Sequence, residues 1–160
     1  MMELGLPLFT TKASKPAPQP LKPIYERPTI RGNGSRSIAE HADAPAVVAV
    51  VRGTVVGFAH AAAYRSRPCY QGIGEFSVYV DANFQSRGVG KILLTALIAE
   101  ARELGYWKLV SRIFDFNTAS RKLCQACGFR EVGIYEKHGQ LDGRWIDCVI
   151  VEKVITENLW

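Results

Sequence analysis

Gln85, Gly88 and Gly90 set a Gln-x-x-Gly-x-Gly spacing inside FQSRGVGKILL, residues 84–94, directly ahead of an apolar stretch with helical periodicity. A helix start carries unpaired backbone N–H groups and the positive end of the helix dipole, so a glycine turn there suits an anion, phosphate above all. Glycine lets the backbone approach such a ligand closely, and the N–H groups of residues 86–91 would point at it. Arg87 and Lys91 add positive charge. Two phosphate loops fail on chemistry they need. A nucleotide-binding P-loop places Ser or Thr after Gly-Lys to reach magnesium; here Ile92 follows, and Gln85 holds the place of the first glycine. A dinucleotide turn needs a third glycine three residues after the second, where this chain has Leu93. On the glycines alone, a tight turn with no ligand stays open.

The elements that must carry this turn can be read on either side of it. AVVAVV from Ala46 and VVGFAHAAAY to Tyr64 read as a hairpin across RGT, and EFSVYV (75–80) as a third strand rich in β-branched and aromatic residues. The turn then opens a helix with Val89, Leu93, Ala96, Leu97 and Leu104 along one face, stopped by Gly105. WKLVSRI (107–113) is a strand, and NTASRKLCQACGF a short helix capped by Asn117 and closed by Gly128. REVGIYEK and RWIDCVIVEKV complete the pattern as two strands paired across HGQLDG. The order β-β-β-α-β-α-β-β mixes hairpins with crossovers and implies an α/β sandwich rather than a doubly wound sheet. Ahead of it, six of the eight prolines fall in the first 28 residues. Residues 1–24 are therefore expected to be a flexible Pro-rich tail, with one domain over 25–160 and a brief helix at SIAEHAD (37–43).

Bulk properties narrow the class. The 160 residues suffice for one domain core, and a formal charge of +5 favours anionic ligands. No run of Lys and Arg forms a stripe, so nucleic acid is not an expected partner. Cys124 and Cys127 form a C-x-x-C with no second pair and no His pair at zinc-finger spacing, so no metal is expected. The four cysteines make no disulfide framework, which suits a reduced compartment. No apolar run reaches membrane-spanning length, and the opening is a poor secretory signal; the chain is expected to be soluble and cytoplasmic.

The glycine turn after SVYV, with Asn117, Ala119, Cys124 and Gly128-Phe129 at the expected distance beyond it, resembles the GNAT superfamily of N-acetyltransferases over about residues 45–155. Within it, GEFSVYV, YRSRP, YEKHG and DGRWID are similar to the phosphinothricin N-acetyltransferase group and its arsinothricin-resistance members. The resemblance implies the GNAT acyl-CoA N-acyltransferase fold, a mixed central sheet with flanking helices, and acetyl-CoA as cosubstrate without a metal. It implies that Gln85, Ser86, Arg87, Gly88, Val89, Gly90 and Lys91 hold the pyrophosphate. Asn117, with Ser120 beside it, and backbone groups of Val78, Tyr79 and Val80 would hold the pantetheine arm. It further implies a homodimer, and a Pro-rich opening where the family has a strand and helices marks those elements as truncated.

Acetyl transfer to an amine needs a neutral amine, a polarised thioester, a leaving thiolate and a positioned acceptor. Related enzymes carry a catalytic Glu at the place of Glu75, and the N–H of Val78 would polarise the thioester carbonyl. His138 is a second catalytic candidate. Aligned on Gly143, Trp145 and Asp147, the family's functional His falls on Asp142, so either a longer turn returns His138 to the site or it is an exposed hairpin histidine. Cys124 stands where many relatives place a Tyr that protonates the thiolate; packing and proton donation are both open for it. Arg65 and Arg67, with Tyr64, stand where related enzymes hold the acceptor's carboxylate and phosphinate, work that suits the planar guanidinium fork. The expected reaction is acetylation of the α-amine of a small anionic amino acid of the phosphinothricin, arsinothricin or methionine sulfoximine type, giving resistance. The alternatives are an acetyl-CoA-binding protein made inactive by truncation, or transfer to another amine.

Overall fold

The computed structural model of the chain describes residues 44–160. The expected tail over 1–24, the helix at 37–43 and the truncation of N-terminal elements lie outside those residues. The hairpin forms as β1 (Ala46–Val51) and β2 (Thr54–Ala63), turning at Arg52 and Gly53 with φ of +50° and +80°. Positive φ at both turn residues matches the right-handed twist of the strands. Next come β3 (Ile73–Val80), two residues longer at its start than EFSVYV, and α1 (Val89–Glu103). Gly105, at φ +81°, ends that helix. β4 (Lys108–Phe114) and α2 (Thr118–Ala126) follow, and the Asn117 side chain caps α2 by accepting from Ser120 N–H at 3.1 Å.

The last two strands, β5 (Arg130–Leu141) and β6 (Arg144–Val154), correct one expectation. HGQLDG is not the turn: β5 runs on through Leu141, and Asp142 and Gly143 alone reverse the chain at φ +48° and +75°. The strand is interrupted instead by a bulge. Tyr135 faces Cys148 and Gly139 faces Ile146, so Glu136, Lys137 and His138 lie opposite Asp147 alone. Lys137, at φ +49°, donates its N–H to Asp147 Oδ1 at 2.8 Å, which ties the bulge down.

The sheet order is β1-β2-β3-β4-β6-β5, antiparallel except between β3 and β4. α1 crosses between those two parallel strands and packs on β1, β2 and β3. Leu93, Leu94 and Leu97 of α1 are sealed against Ala59, Ala61, Phe76 and Leu109, each contributing roughly 1.5–3 kcal/mol of burial. Leu123 and Cys124 of α2 join the same cluster. Strand alternation sends Phe58, His60, Glu75, Tyr79 and Arg112 to the opposite face, where Phe58 stacks on Tyr79 at 4.9 Å. Among the described residues no helix is long and apolar enough to cross a membrane.

An ion-pair cluster ties three strands together on that second face. Glu152 of β6 pairs with Lys108 of β4 and Arg130 of β5 and is 9% exposed. Its hydrogen bond to Lys108, seconded by that to Arg130, holds the carboxyl below the usual carboxylate range although burial pushes the other way. A carboxyl lowered by folding adds stability above its unfolded value and loses it as pH falls through its folded one. The melting temperature is expected to drop on acidification below about pH 4. Glu152→Gln should flatten that part of a thermal-unfolding profile recorded against pH.

Candidate active site

The parallel ladder between β3 and β4 lasts three pairs, Ile73 with Lys108, Gly74 with Leu109 and Glu75 with Val110, and then the strands part. A cleft of about 1010 Å³ occupies the gap and runs through the sheet. Backbone groups of every second β3 residue face it. Phe76 O takes a hydrogen bond from Ser111 Oγ at 2.9 Å, and Val80 O takes one from the Gln85 amide at 3.4 Å. By the same alternation the N–H of Val78, two residues along, points into the gap.

One end of the cleft is the glycine turn. Ser86 at φ +58° and Gly88 at φ +82° aim the chain so that α1 begins at Val89 with no side-chain cap and no acidic residue in its first turn. The two glycines serve different ends. A Cβ on Gly88 would meet nothing within 4 Å, so conformation is what requires glycine there. At Gly90 a Cβ would lie 3.1 Å from Leu123 Cδ2, so close contact between α1 and α2 is the reason. Gln85, Ser86 and Lys91 line this end, and Lys122 of α2 adds a second cation. Two expected members stand apart: Val89 is buried in the core at 2% exposure, and the Arg87 guanidinium sits over the Phe84 ring at 5.4 Å.

Along the cleft, Val78, Tyr79 and Val80 form one wall and Asn117 and Ser120 part of the other. Capping uses Asn117 Oδ1, so its amide N–H groups are left without a partner among the described residues. Cys124 borders the cleft from below. Burial, the largest cause, pushes its thiol up to about 12. Such a thiol is a weak acid beside a departing thiolate near the ordinary value of about 8.5, which leaves packing as its work. It also leaves a thiolate fraction on the order of 10⁻⁵ at neutral pH. An alkylating reagent followed by peptide mass analysis should therefore modify the exposed Cys69 and leave Cys124 intact in the folded protein.

Arg112, a residue that sequence reasoning missed, lines the other end and holds Glu75, which lies just outside the cleft lining. Arg112 donates from Nε to Glu75 Oε1 at 2.7 Å and from Nη2 to the same oxygen. Its Nη1 lies 3.4 Å from His138 Nε2. The bulge, not a longer turn, carries His138 to Arg112, where it stays exposed; its ring rests on Tyr135 at 4.8 Å. The signal for Arg112 was present as alternation in KLVSRIF, which puts Val110, Arg112 and Phe114 on the Glu75 side. Tyr64, Arg65 and Arg67 are not brought to the cleft. They lie on the β2–β3 connection, where Arg65 stacks over the Tyr64 ring at 5.0 Å and Tyr64 packs edge-on against Tyr70 at 6.0 Å. Among the described residues no group of three or more His, Cys, Asp or Glu could hold a metal ion.

A sheet parted beside a glycine turn, with a capping Asn across the gap, defines an acyltransferase-type frame, and comparison with known proteins agrees. The chain belongs to the acetyltransferase (GNAT) family, whose model matches residues 10–129. It is 40% identical over 111 residues to a phosphinothricin N-acetyltransferase of Alcaligenes faecalis, covering 68% of this chain and 56% of that one. An L-methionine sulfoximine/L-methionine sulfone acetyltransferase of Salmonella typhimurium is 33% identical, over 71% of this chain and 67% of its own. Among solved structures, a GNAT superfamily phosphinothricin acetyltransferase from Sinorhizobium meliloti in complex with AcCoA is 32% identical, with TM-score 0.68 over 72% of this chain and 63% of that one. The chain thus spans between about half and two thirds of these relatives' lengths.

Proposed function

We propose that the protein transfers an acetyl group from acetyl-CoA to the α-amine of a small anionic amino acid. The observation that carries the reading is the parting of β3 from β4 immediately after Glu75, which opens a cleft with an anion-suited turn at one end and, at the other, Arg112, whose side chain holds the Glu75 carboxylate. The residues fit the cosubstrate. Gly88 leaves open space at the turn, Asn117 has amide donors to spare, and β3 has backbone groups that β4 does not use.

Acetyl-CoA supplies an activated acyl carbon on a thiol leaving group; the chain supplies position and proton transfer. N–H groups of the turn and Lys91 would bind the pyrophosphate. Asn117 and the gap-facing edge of β3 would hold the pantetheine arm, with the N–H of Val78 set to receive charge on the thioester oxygen. Glu75 would take a proton from the amine, directly or through water, as the C–N bond forms and the C–S bond breaks. The anionic acceptor is supported by the net charge of +5 and by the names of the similar enzymes. Arg65, Arg67 and Tyr64 are its proposed contacts, and a resistance role and a homodimer belong to the same reading. The place of those three residues outside the cleft lining, with Arg65 and Arg67 exposed, favours a second reading, acetyl-CoA binding without turnover or transfer to a different amine.

The test is direct. The purified full chain is incubated with acetyl-CoA and, separately, phosphinothricin, methionine sulfoximine and an uncharged amine, and N-acetyl product is followed by mass. Product from the anionic acceptors above that from the uncharged amine supports the proposal. Calorimetric binding of acetyl-CoA with no product from any acceptor supports the second reading.

A further inference from the structure

The Glu75, Arg112 and His138 side chains come from three strands and meet at one point. They sit where β3 and β4 part, on the face that neither α1 nor α2 covers. Both contacts from Arg112 fall on a single oxygen of Glu75, Oε1. Oε2 has no hydrogen-bond partner among the described residues. A carboxylate gripped in this way cannot spin about its last bond: one oxygen is tied and the other is presented. The third corner of the guanidinium is also engaged. Its Nη1 N–H faces His138 Nε2 across a 3.4 Å contact. His138 reaches that place because three residues of β5 are looped out opposite Asp147, which pins the loop through Lys137 N–H at 2.8 Å. Close packing holds the hairpin down beside it: a Cβ on Gly139 would lie 3.2 Å from Phe114 Cε1.

We propose that Arg112 is a positioning residue that fixes the carboxylate of Glu75 with one oxygen free toward the acceptor amine, and that His138 acts one step further back by holding Arg112. This rests on the acetyl-transfer reading above. It gives His138 a role without contact to the reacting atoms, through its contact with Arg112. It also explains an arginine half-exposed at 48% yet engaged on three sides. Arg112 lines the cleft as well, so the competing account is that it binds the cosubstrate.

Two measurements separate these accounts. The first does not depend on turnover. In the ligand-free protein, the Arg112 Nε–H proton is expected to give a downfield, slowly exchanging NMR signal that disappears in Glu75→Ala and weakens in His138→Ala. The second is a kinetic cycle. Arg112→Met should lower kcat about 10- to 100-fold, as misplacement of a reacting group does, with acetyl-CoA Kd unmoved. Added to Glu75→Gln, the same change should cost almost nothing more, because its effect passes through Glu75. Arg112→Lys keeps the charge without the fork and should recover little. A freely exchanging Nε–H proton in the wild type overturns the proposal. So does an acetyl-CoA Kd raised tenfold with kcat kept, or losses from Arg112→Met and Glu75→Gln that multiply. Failure of the wild type to acetylate any acceptor overturns the acetyl-transfer reading instead, and the arrangement of the three side chains is then judged on the NMR signal.

Discussion

Glu75→Gln is expected to slow acetyl transfer at saturating substrate by about 10²- to 10⁴-fold, the range that a positioned general base supplies. The change is isosteric and keeps an acceptor oxygen for Arg112, so what is lost is the capacity to take a proton. The α-amine of a free amino acid is mostly protonated at neutral pH and must lose its charge before it can attack. Binding of acetyl-CoA should be unchanged, because Glu75 is held by Arg112 and takes no part in the turn from Gln85 to Lys91. Stability should move by less than about 1 kcal/mol, since the pair with Arg112 is partly open to water, at 29% and 48% exposure. The measurement is kcat beside acetyl-CoA Kd on the same preparation. A kcat within threefold of wild type would remove Glu75 from the reaction.

Gly88→Val is expected to do the opposite: acetyl-CoA Kd should rise about 10- to 100-fold. The backbone at Gly88 has φ +82°, a region where a β-branched residue is a steric outlier. Nothing fills the space a side chain would enter, so the chain escapes by moving its backbone. Such a move turns away the N–H groups that begin α1. Each hydrogen bond from such a group to a charged phosphate oxygen is worth about 1.5–3 kcal/mol, and losing one gives the stated range. The surviving protein should reach a near-normal kcat once saturated, since β3, Glu75 and Arg112 lie outside the altered turn. Calorimetric titration with acetyl-CoA, repeated with free coenzyme A, checks this. An unchanged Kd would mean that the turn does not hold the pyrophosphate.

What could be read in the residues beforehand divides by range. Helix limits at Asn117, Gly105 and Gly128 were legible because caps and left-handed stops are decided within a few residues. The glycine turn was legible for the same reason, as was the order of strands and helices. The length of β5 was not. Asp142-Gly143 is a two-residue hairpin signal in its own right, yet the polar run His138–Gln140 had been given to the turn. The bulge at Lys137 needs Asp147, ten residues away, to make sense. For Arg112 the face was legible from alternation but the partners were not: they are 37 and 26 residues distant, and only strand register brings them together. Tyr64, Arg65 and Arg67 show the reverse. A motif placed them with the acceptor, while in the described chain Arg65 stacks on Tyr64, Tyr64 packs on Tyr70, and none of the three lines the cleft.

The brevity of the β3–β4 ladder reaches beyond the chemistry. Seven residue pairs join β4 to β6, but three join β3 to β4, so the sheet is two half-sheets meeting at a short seam. α1 packs mainly on the first half, on β1, β2 and β3. Local opening would run along that seam, with the half containing β1, β2 and β3 parting from the half containing β4, β6 and β5. A long, narrow molecule laid in the gap, taking up the unused backbone groups of β3, serves as a splint across it. Its binding energy then doubles as folding energy through mass action, and the two halves become one cooperative unit.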